Sequence, residues 1–115
     1  MPSPVTLERF IARVEQNLHA EAVEAFYTEA ASISENMGPP RIGRDAQAAR
    51  ERAVFLKVSA VTSTCVRPVF VSGDKVVIRW IFEFEWVDGR RSRMEELAYQ
   101  RWEGEYIAEE TSGRP

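Results

Sequence analysis

The chain has 115 residues, of which 44% are hydrophobic, which suits one domain with a core that needs neither disulfides nor metals. Its formal charge of −3 comes from 18 acidic and 15 basic residues, and the basic ones are interspersed, so nucleic acid is excluded as an expected partner. No apolar run approaches the roughly 20 residues that span a bilayer, and a signal-peptide pattern is missing. We therefore expect a soluble, cytoplasmic domain over 1–115 with no membrane partner.

The first half of the chain predicts three helices. Apolar residues recur at helical spacing over 7–18, and a second apolar stripe follows within 21–27. The Met-Gly-Pro-Pro stretch at 37–40 interrupts regular structure, and Asp45 is the expected N-cap of the third helix. Each helix has an apolar face that must pack against another layer.

The second half predicts four or five antiparallel strands. Residues 59–71 are rich in β-branched side chains, 76–87 and 91–102 continue the pattern, and a last strand covers 106–111. Asp88-Gly89 is a strong signal for a two-residue hairpin turn. Because the helices come first and the strands after, the sequence predicts an α+β fold.

The expected hairpin sorts the side chains into two faces, since a two-residue turn would pair Val87 with Arg90. One face then carries an aromatic stripe, which consists of Ile78, Trp80, Phe82, Phe84 and Trp86. The other face is more charged and carries Arg79, Ile81, Glu83, Met94, Glu96 and Ala98. Hydrophobicity alone would bury the aromatic stripe under the helices. In the alternative, the charged face lines a cavity there and the stripe is buried against a second subunit.

Metal and thiol chemistry find little support in this sequence. The chain has one cysteine, Cys65, and one histidine, His19, so no internal disulfide and no ordinary zinc site is possible. The acidic residues also lack the spacing of a calcium-binding loop. We expect no cofactor and no metal.

Three stretches carry a resemblance to a known family. They are Ala25-Phe26-Tyr27-Thr28-Glu29-Ala30-Ala31, then Met37-Gly38-Pro39-Pro40, then Gly43-Arg44-Asp45 before the long hairpins. In this order they resemble the nuclear transport factor 2-like superfamily, most closely its SnoaL-like, polyketide-cyclase-like and ketosteroid-isomerase-like branch. The resemblance implies a cone-shaped α+β barrel, with the three N-terminal helices on the concave face of a bent antiparallel sheet. It favours the cavity alternative, with a homodimer formed through the face of Trp80, Phe82, Phe84 and Trp86.

The resemblance also suggests catalytic residues. Alignment with ketosteroid isomerases, through the Gly-Arg pair and the hairpin glycine, puts their general base at Glu35 and places Ile81, Glu83, Glu96 and Ala98 inside. The isomerases' two oxyanion-stabilising groups fall on Ile11 and Ala98, which cannot donate a side-chain hydrogen bond. Alignment with limonene epoxide hydrolases matches only their arginine, as Arg79. Neither mechanism is therefore expected unchanged.

We therefore predict a protein that binds a small hydrophobic molecule, with an isomerase, cyclase or hydratase activity as one hypothesis. The candidate catalytic residues are Glu35, as general base, Glu83 and Glu96. The candidate ligand-binding residues are Arg79, Phe10, Val14, Tyr27, Met37, Phe55, Ile81, Met94 and Ala98. The alternative is a non-catalytic ligand-binding or protein-interaction dimer, in which Arg79 pairs with Glu83 or Glu96 in a buried ion network.

Overall fold

Three helices precede most of the strands in the computed structural model, which describes residues 1–115. The helices are α1 (Pro4–Glu15), α2 (His19–Phe26) and α3 (Arg44–Phe55). The strands are β1 (Tyr27–Glu35), β2 (Arg41–Ile42), β3 (Val58–Ser72), β4 (Lys75–Trp86), β5 (Arg91–Glu103) and β6 (Tyr106–Gly113). The predicted α+β class is confirmed. None of the helices combines the length and the apolar character that crossing a membrane requires.

The strands form one open sheet in the order β2-β1-β6-β5-β4-β3. Neighbouring strands are antiparallel except for β1 and β6, which run parallel, so the sheet is mixed rather than wholly antiparallel. The sequence pattern does not indicate β1 because its pairing with β6 shifts register between Tyr27 and Ser32. Such an irregularity interrupts the period-two alternation on which a strand prediction rests.

The helices α1 and α3 begin in different ways. The Ser3 hydroxyl accepts a hydrogen bond from the backbone N–H of Thr6 at 3.1 Å and caps α1. Gly43 occupies the N-cap of α3 with a φ of 118°, and the expected cap, Asp45, lies instead in the first turn. Side chains other than hydrogen rarely tolerate that φ, so Gly43 allows the chain to enter α3 at this angle.

The β4–β5 hairpin differs from its prediction by one residue. The backbone N–H of Trp86 donates to the carbonyl of Arg90 at 2.8 Å, and the N–H of Gly89 donates to the carbonyl of Trp86 at 2.9 Å. The loop therefore has three residues, 87–89, and ends with Gly89 at a φ of 89°. Loops of this kind combine a turn with a left-handed glycine. Trp86, rather than Val87, lies opposite Arg90.

This shift exchanges the two faces of β4 relative to β5, because successive side chains of a strand point to opposite sides. The aromatic stripe shares the inner face with Met94, Glu96 and Ala98. Trp80 is only 3% exposed and Phe82 only 7%, so the predicted outward interface of Trp80, Phe82, Phe84 and Trp86 is wrong in its placement. The outward face of β4 carries Arg79, Ile81 and Glu83 instead.

The core lies between the helices and the inner face of the sheet. Phe10 of α1 packs against Phe26 and Trp102, with ring centroids 5.6 and 5.9 Å away. Burial of a phenylalanine side chain stabilises a fold by about 1.5–3 kcal/mol. Helix α3 contributes only Ala48 to the hydrophobic core cluster. The space between the rest of its inner side and β4 stays open and forms a pocket.

Candidate functional site

A pocket of about 930 Å³ lies between the helices and the inner face of the sheet. That volume is within the range of small-molecule sites. Its apolar wall comes from helices and strands alike, and includes Phe10, Val14, Val23, Tyr27, Ile33, Val54, Phe55, Trp80, Phe82, Phe84, Trp86, Met94 and Ala98. The pocket therefore offers a large apolar surface to a ligand.

The aromatic stripe forms one side of this wall. The rings of Trp80 and Phe82 are stacked with centroids 5.6 Å apart, and those of Phe84 and Trp86 are stacked at 5.3 Å. The four rings lie in a row because they alternate along a single strand. They form a continuous apolar strip from the buried end of the pocket towards the hairpin.

Five glutamates line the same pocket. Glu95 is paired with Arg79 and Arg93, and the other four carboxyl groups come from four different elements. They are Glu35 of β1, Glu51 of α3, Glu96 of β5 and Glu110 of β6. Their approach is a consequence of the fold, since no two of them are neighbours in the sequence. No group of three or more His, Cys, Asp or Glu side chains is arranged to hold a metal ion. The carboxyl groups are therefore considered one by one.

Glu96 has a strongly perturbed environment. Burial raises the pKa of its carboxyl group to about 8, and the charges of Glu110, Glu35 and Glu51 act in the same direction. No hydrogen bond or basic side chain opposes this shift. With such a pKa, about nine-tenths of the groups carry a proton at pH 7. A pKa close to neutrality is the property required of a group that gives and takes protons.

Glu110 is held in place by a chain of hydrogen bonds. Its carboxylate accepts one from the Tyr27 hydroxyl at 2.8 Å and one from the Gln100 amide at 2.7 Å, and Gln100 in turn accepts from the Trp102 indole at 3.0 Å. Burial raises the pKa of Glu110, whereas the hydrogen bonds from Gln100 and Tyr27 lower it. A fully satisfied network of this kind fixes the position of its members.

The remaining two carboxyl groups have partners. The Gln47 amide donates to Glu51 at 3.0 Å, and this bond partly opposes the burial that raises the pKa of Glu51. Glu35 is exposed at the edge of the pocket and forms an ion pair with Arg41 of β2 at 2.7 Å. Among the four, Glu96 alone has neither a hydrogen-bond donor nor a basic partner.

His19, the one histidine of the chain, also lines the pocket. Its ring lies between Phe55 and Phe82, with centroids 4.9 and 5.1 Å away, and its Nε2 is 2.8 Å from the Ser63 hydroxyl. Burial lowers the pKa of His19 to about 4, while the backbone of Val14 and the charge of Glu21 act in the opposite direction. The imidazole is neutral at pH 7 and adds no positive charge to the pocket.

The structure brings most of the predicted site residues together. Two of the predicted catalytic residues, Glu35 and Glu96, line the pocket, as do the predicted binding residues Phe10, Val14, Tyr27, Phe55, Met94 and Ala98. Four others lie elsewhere. Arg79, Ile81 and Glu83 are on the outward face because of the hairpin shift, and Met37 is 94% exposed in the turn after β1.

The expected ion network around Arg79 is also wrong. Arg79 pairs with Glu95 at 2.8 Å, because both side chains lie on the outward face. It therefore cannot neutralise Glu96 or orient a ligand in the pocket. Sequence reasoning missed Glu51 and Glu110. Glu110 could have been found, since it lies directly opposite Gln100, which has the same parity along β5 as Glu96 and Ala98.

Comparison with known proteins agrees with this fold. The sequence profile of the SnoaL-like domain family matches residues 7–110. No curated protein sequence matches the chain. Several solved structures have a similar fold at low sequence identity, and at that identity they inform only about the fold.

Three of these structures match this chain over nearly its whole length. An uncharacterised cystatin-fold protein from Novosphingobium aromaticivorans has a TM-score of 0.79 and 16% identity, with 97% of each chain covered. A protein from Mesorhizobium loti, proposed to be a SnoaL-like polyketide cyclase, has a TM-score of 0.76 and 21% identity, covering 93% of this chain and 94% of that one. A protein from Catenulispora acidiphila with a ketosteroid isomerase-like fold, in complex with trimethylamine, has a TM-score of 0.78 and 14% identity, covering 96% and 85%.

Proposed function

The chain belongs to the SnoaL-like domain family, and we propose that its pocket binds a small, mostly apolar molecule on which Glu96 transfers a proton. The observation that carries the proposal is the single unpartnered carboxyl group in an aromatic-walled pocket of about 930 Å³. The reaction class is isomerisation, cyclisation or hydration, each of which needs a proton to be taken from one atom and given to another.

The apolar wall supports binding of a mostly apolar ligand. Each square ångström of apolar surface removed from water contributes about 25 cal/mol to binding before the cost of immobilising the ligand. The stacked pairs Trp80–Phe82 and Phe84–Trp86 provide a wall that is already ordered by packing. Little side-chain freedom would be lost on this wall when a ligand binds.

The environment of Glu96 supports proton transfer. In its ionised form, a carboxylate with a pKa of about 8 is a stronger base than an ordinary glutamate. It can remove a proton from the ligand, and the resulting acid can return that proton to another atom, so that Glu96 ends in its initial state. Reaction rates should therefore rise with pH up to about 8, as the ionised fraction of the free protein grows.

Glu35 has the second place in this proposal. It was expected as the general base, and it faces the same pocket, but its carboxylate is engaged by Arg41 at 2.7 Å. We propose that it assists at the mouth of the pocket while Glu96 carries the proton. Ile11 and Ala98 provide no oxyanion donor, so the scheme suits a ligand that itself delocalises the electron pair left behind when Glu96 removes a proton.

The test is a ligand screen followed by turnover measurements. Thermal-shift assays against aromatic ketones, hydroxylated polycycles and terpenoid epoxides identify ligands, and each hit is then assayed for conversion. We expect Glu96→Gln to lower the turnover by 10²-fold or more, the usual effect of losing a general acid–base group. Glu83→Gln is the matched control, since Glu83 lies on the outward face, and it should leave turnover unchanged. Unaltered turnover in Glu96→Gln would refute the catalytic role.

The second candidate is ligand binding without turnover. The Glu35–Arg41 ion pair favours it, because this pairing occupies one of the two carboxylates that a two-group mechanism would use. Under this alternative, hits from the screen stabilise the protein and remain chemically unchanged. Glu96→Gln would then alter only the affinity.

We also propose that the outward face of the sheet, rather than the aromatic stripe, joins two copies of the chain. This face presents Phe70, which is 63% exposed, and Tyr99, which is 51% exposed, on neighbouring sides of Val77. Exposed apolar groups on one sheet face commonly mark an interface. The expected homodimer is thus retained, through the opposite surface of the molecule.

A further inference from the structure

The charge balance of the pocket is uneven. Its acidic lining residues are Glu35, Glu51, Glu95, Glu96 and Glu110, and its basic ones are Arg50, Arg93 and Arg114. Arg93 is bound to Glu95 at 2.9 Å, outside the group formed by Glu51, Glu96 and Glu110. No arginine or lysine contributes to the electrostatic environment of Glu96 or Glu110. The inner part of the pocket therefore has carboxyl groups without a counter-charge.

We infer that the ligand of this pocket is a small organic cation, in which an ammonium group that contacts Glu96 is attached to an apolar body that packs on the aromatic stripe. The inference rests on the ligand-binding part of the proposed function and does not require turnover.

Anionic, neutral and cationic ligands would make different contacts inside the pocket. An anion would approach the carboxyl groups of Glu51, Glu96 and Glu110, of which only Glu51 is influenced by a basic side chain, Arg50. Like charges repel each other more strongly where burial reduces screening by water. A neutral molecule would gain apolar contact only. An organic cation would gain the same apolar contact and would also supply the missing counter-charge, which is how a buried carboxylate is ordinarily stabilised.

Binding of the cation should release a proton. In the empty pocket Glu96 avoids an uncompensated charge by remaining protonated, and when the ammonium group arrives the proton leaves to solvent while the carboxylate pairs with the ligand. The balance is one cation bound and one proton released, with no bond in the ligand broken. Affinity should therefore increase with pH until Glu96 is already ionised in the free protein.

Other charged groups around Glu96 do not mimic this behaviour. They are Glu35 of β1 with Arg41 of β2, Glu51 and Arg50 of α3, His19 of α2, Arg93 and Glu95 of β5, Glu110 of β6 and Arg114. His19 stays neutral between pH 6.5 and pH 9, since its pKa is about 4. Glu51 and Glu110 also have raised pKa values, so any titration of theirs adds in the same direction.

The experiment compares two probes of the same shape. They are benzyl(2-hydroxyethyl)dimethylammonium and 3,3-dimethyl-4-phenylbutan-1-ol, in which a carbon replaces the charged nitrogen, and neither titrates between pH 6.5 and pH 9. Isothermal titration calorimetry gives their Kd values at several pH values in this range. If the cation binds only the ionised form of Glu96, its Kd should fall by about 30-fold between pH 6.5 and pH 9. The Kd of the alcohol should not decrease.

Two further measurements separate Glu96 from the rest of the pocket. The observed binding enthalpy of the cation should depend on the ionisation enthalpy of the buffer, because a proton is released, and this readout needs only the unmodified protein. Glu96→Gln should flatten the pH dependence and abolish the buffer effect, whereas Glu83→Gln should preserve both.

The outcomes distinguish this inference from the proposed function. If the alcohol binds as tightly as the cation at pH 9, the inference is overturned and ligand binding by the pocket stands. If the cation keeps its pH dependence in Glu96→Gln, the assignment of its contact to Glu96 is also overturned. If neither probe binds, the cation inference fails for this shape, and the proposed function fails as well only when the wider screen gives no ligand.

Discussion

Replacing Glu96 by glutamine should remove a large part of the pH dependence of the protein's stability. The folded protein holds the Glu96 proton up to a pKa of about 8, whereas the unfolded chain loses it near 4.5. Between these values the folded state binds more protons than the unfolded state, so stability falls as the pH rises. The contribution is fully present below pH 4.5 and is lost as the pH passes 8.

The magnitude follows from the two pKa values. Integrated over pH, the loss from this one group is about 1 kcal/mol at pH 5 and about 4–5 kcal/mol at pH 9, so the difference across the range is about 4 kcal/mol. This is an upper value, because the pocket admits water, which screens the charge. The free energy of unfolding of a small domain is about 5–15 kcal/mol. A change of about 4 kcal/mol in this quantity is therefore easily measured.

The assay is urea unfolding of the unmodified protein, Glu96→Gln and Glu83→Gln at pH 5, 7 and 9, with extrapolation to water. Glutamine has nearly the same shape and carries no charge, so the change in stability from pH 5 to pH 9 should be more negative by about 4 kcal/mol in the unmodified protein than in Glu96→Gln, while the titration of His19 is common to both. Glu83→Gln should decline in parallel with the unmodified protein, since Glu83 is on the outward face. Parallel decline of all three would show that Glu96 is not the group that holds the proton.

Four other predictions concern the pocket and the outward face of the sheet. In the folded protein the pKa of His19 is about 4, below its unfolded value of 6.5, so the contribution of His19 to the free energy of unfolding should be present above pH 6.5 and fall by about 2 kcal/mol at pH 5. His19→Leu cannot titrate and should lack this loss in an unfolding assay, and an equal loss in the variant would refute the prediction. Tyr27→Phe removes a hydrogen-bond donor from the buried carboxyl group of Glu110 and should lower the free energy of unfolding by about 1–3 kcal/mol, measured by chemical denaturation. Loss of an exposed hydroxyl would not have an effect of this size. Trp80→Ala should lower the free energy of unfolding by about 3–5 kcal/mol, because Trp80 is buried in the pocket wall. Tyr99→Glu should leave the fold intact and give a monomer in size-exclusion chromatography, and a folded dimer of this variant would contradict the outward interface.

The elements of the fold could largely be predicted from the sequence, because each has its own local signal. The apolar spacing in 7–18 predicts α1, and the alternation in 76–87 predicts β4. Strand β1 was not predicted, because the register shift near Tyr27 interrupts its alternation of apolar and polar residues. Its partner, β6, lies at the other end of the chain, and no local pattern identifies such a pairing.

The candidate site could be predicted only in part, for a reason that concerns a single turn. Glu96 and Met94 were expected in the pocket and line it, whereas Glu83 and Arg79 were expected there and lie outside. All four belong to one hairpin, and the difference depends on whether its loop has two residues or three. Asp88-Gly89 is compatible with either, since a left-handed glycine ends both kinds of loop. The hydrogen bond from the Trp86 N–H to the Arg90 carbonyl distinguishes them.

The three-residue loop also has a consequence for how relatives of this chain can diverge. Loss or gain of one residue at 87–89 would reverse the parity of β4 with respect to β5. The aromatic side chains of β4 would then share a face with the outward side chains of β5, although no amino acid of β4 had changed. Length changes of two residues would preserve the parity and the pocket wall. An alignment of related chains that ignores whether this loop has an odd or an even number of residues will therefore equate residues of the pocket wall with residues of the outward face.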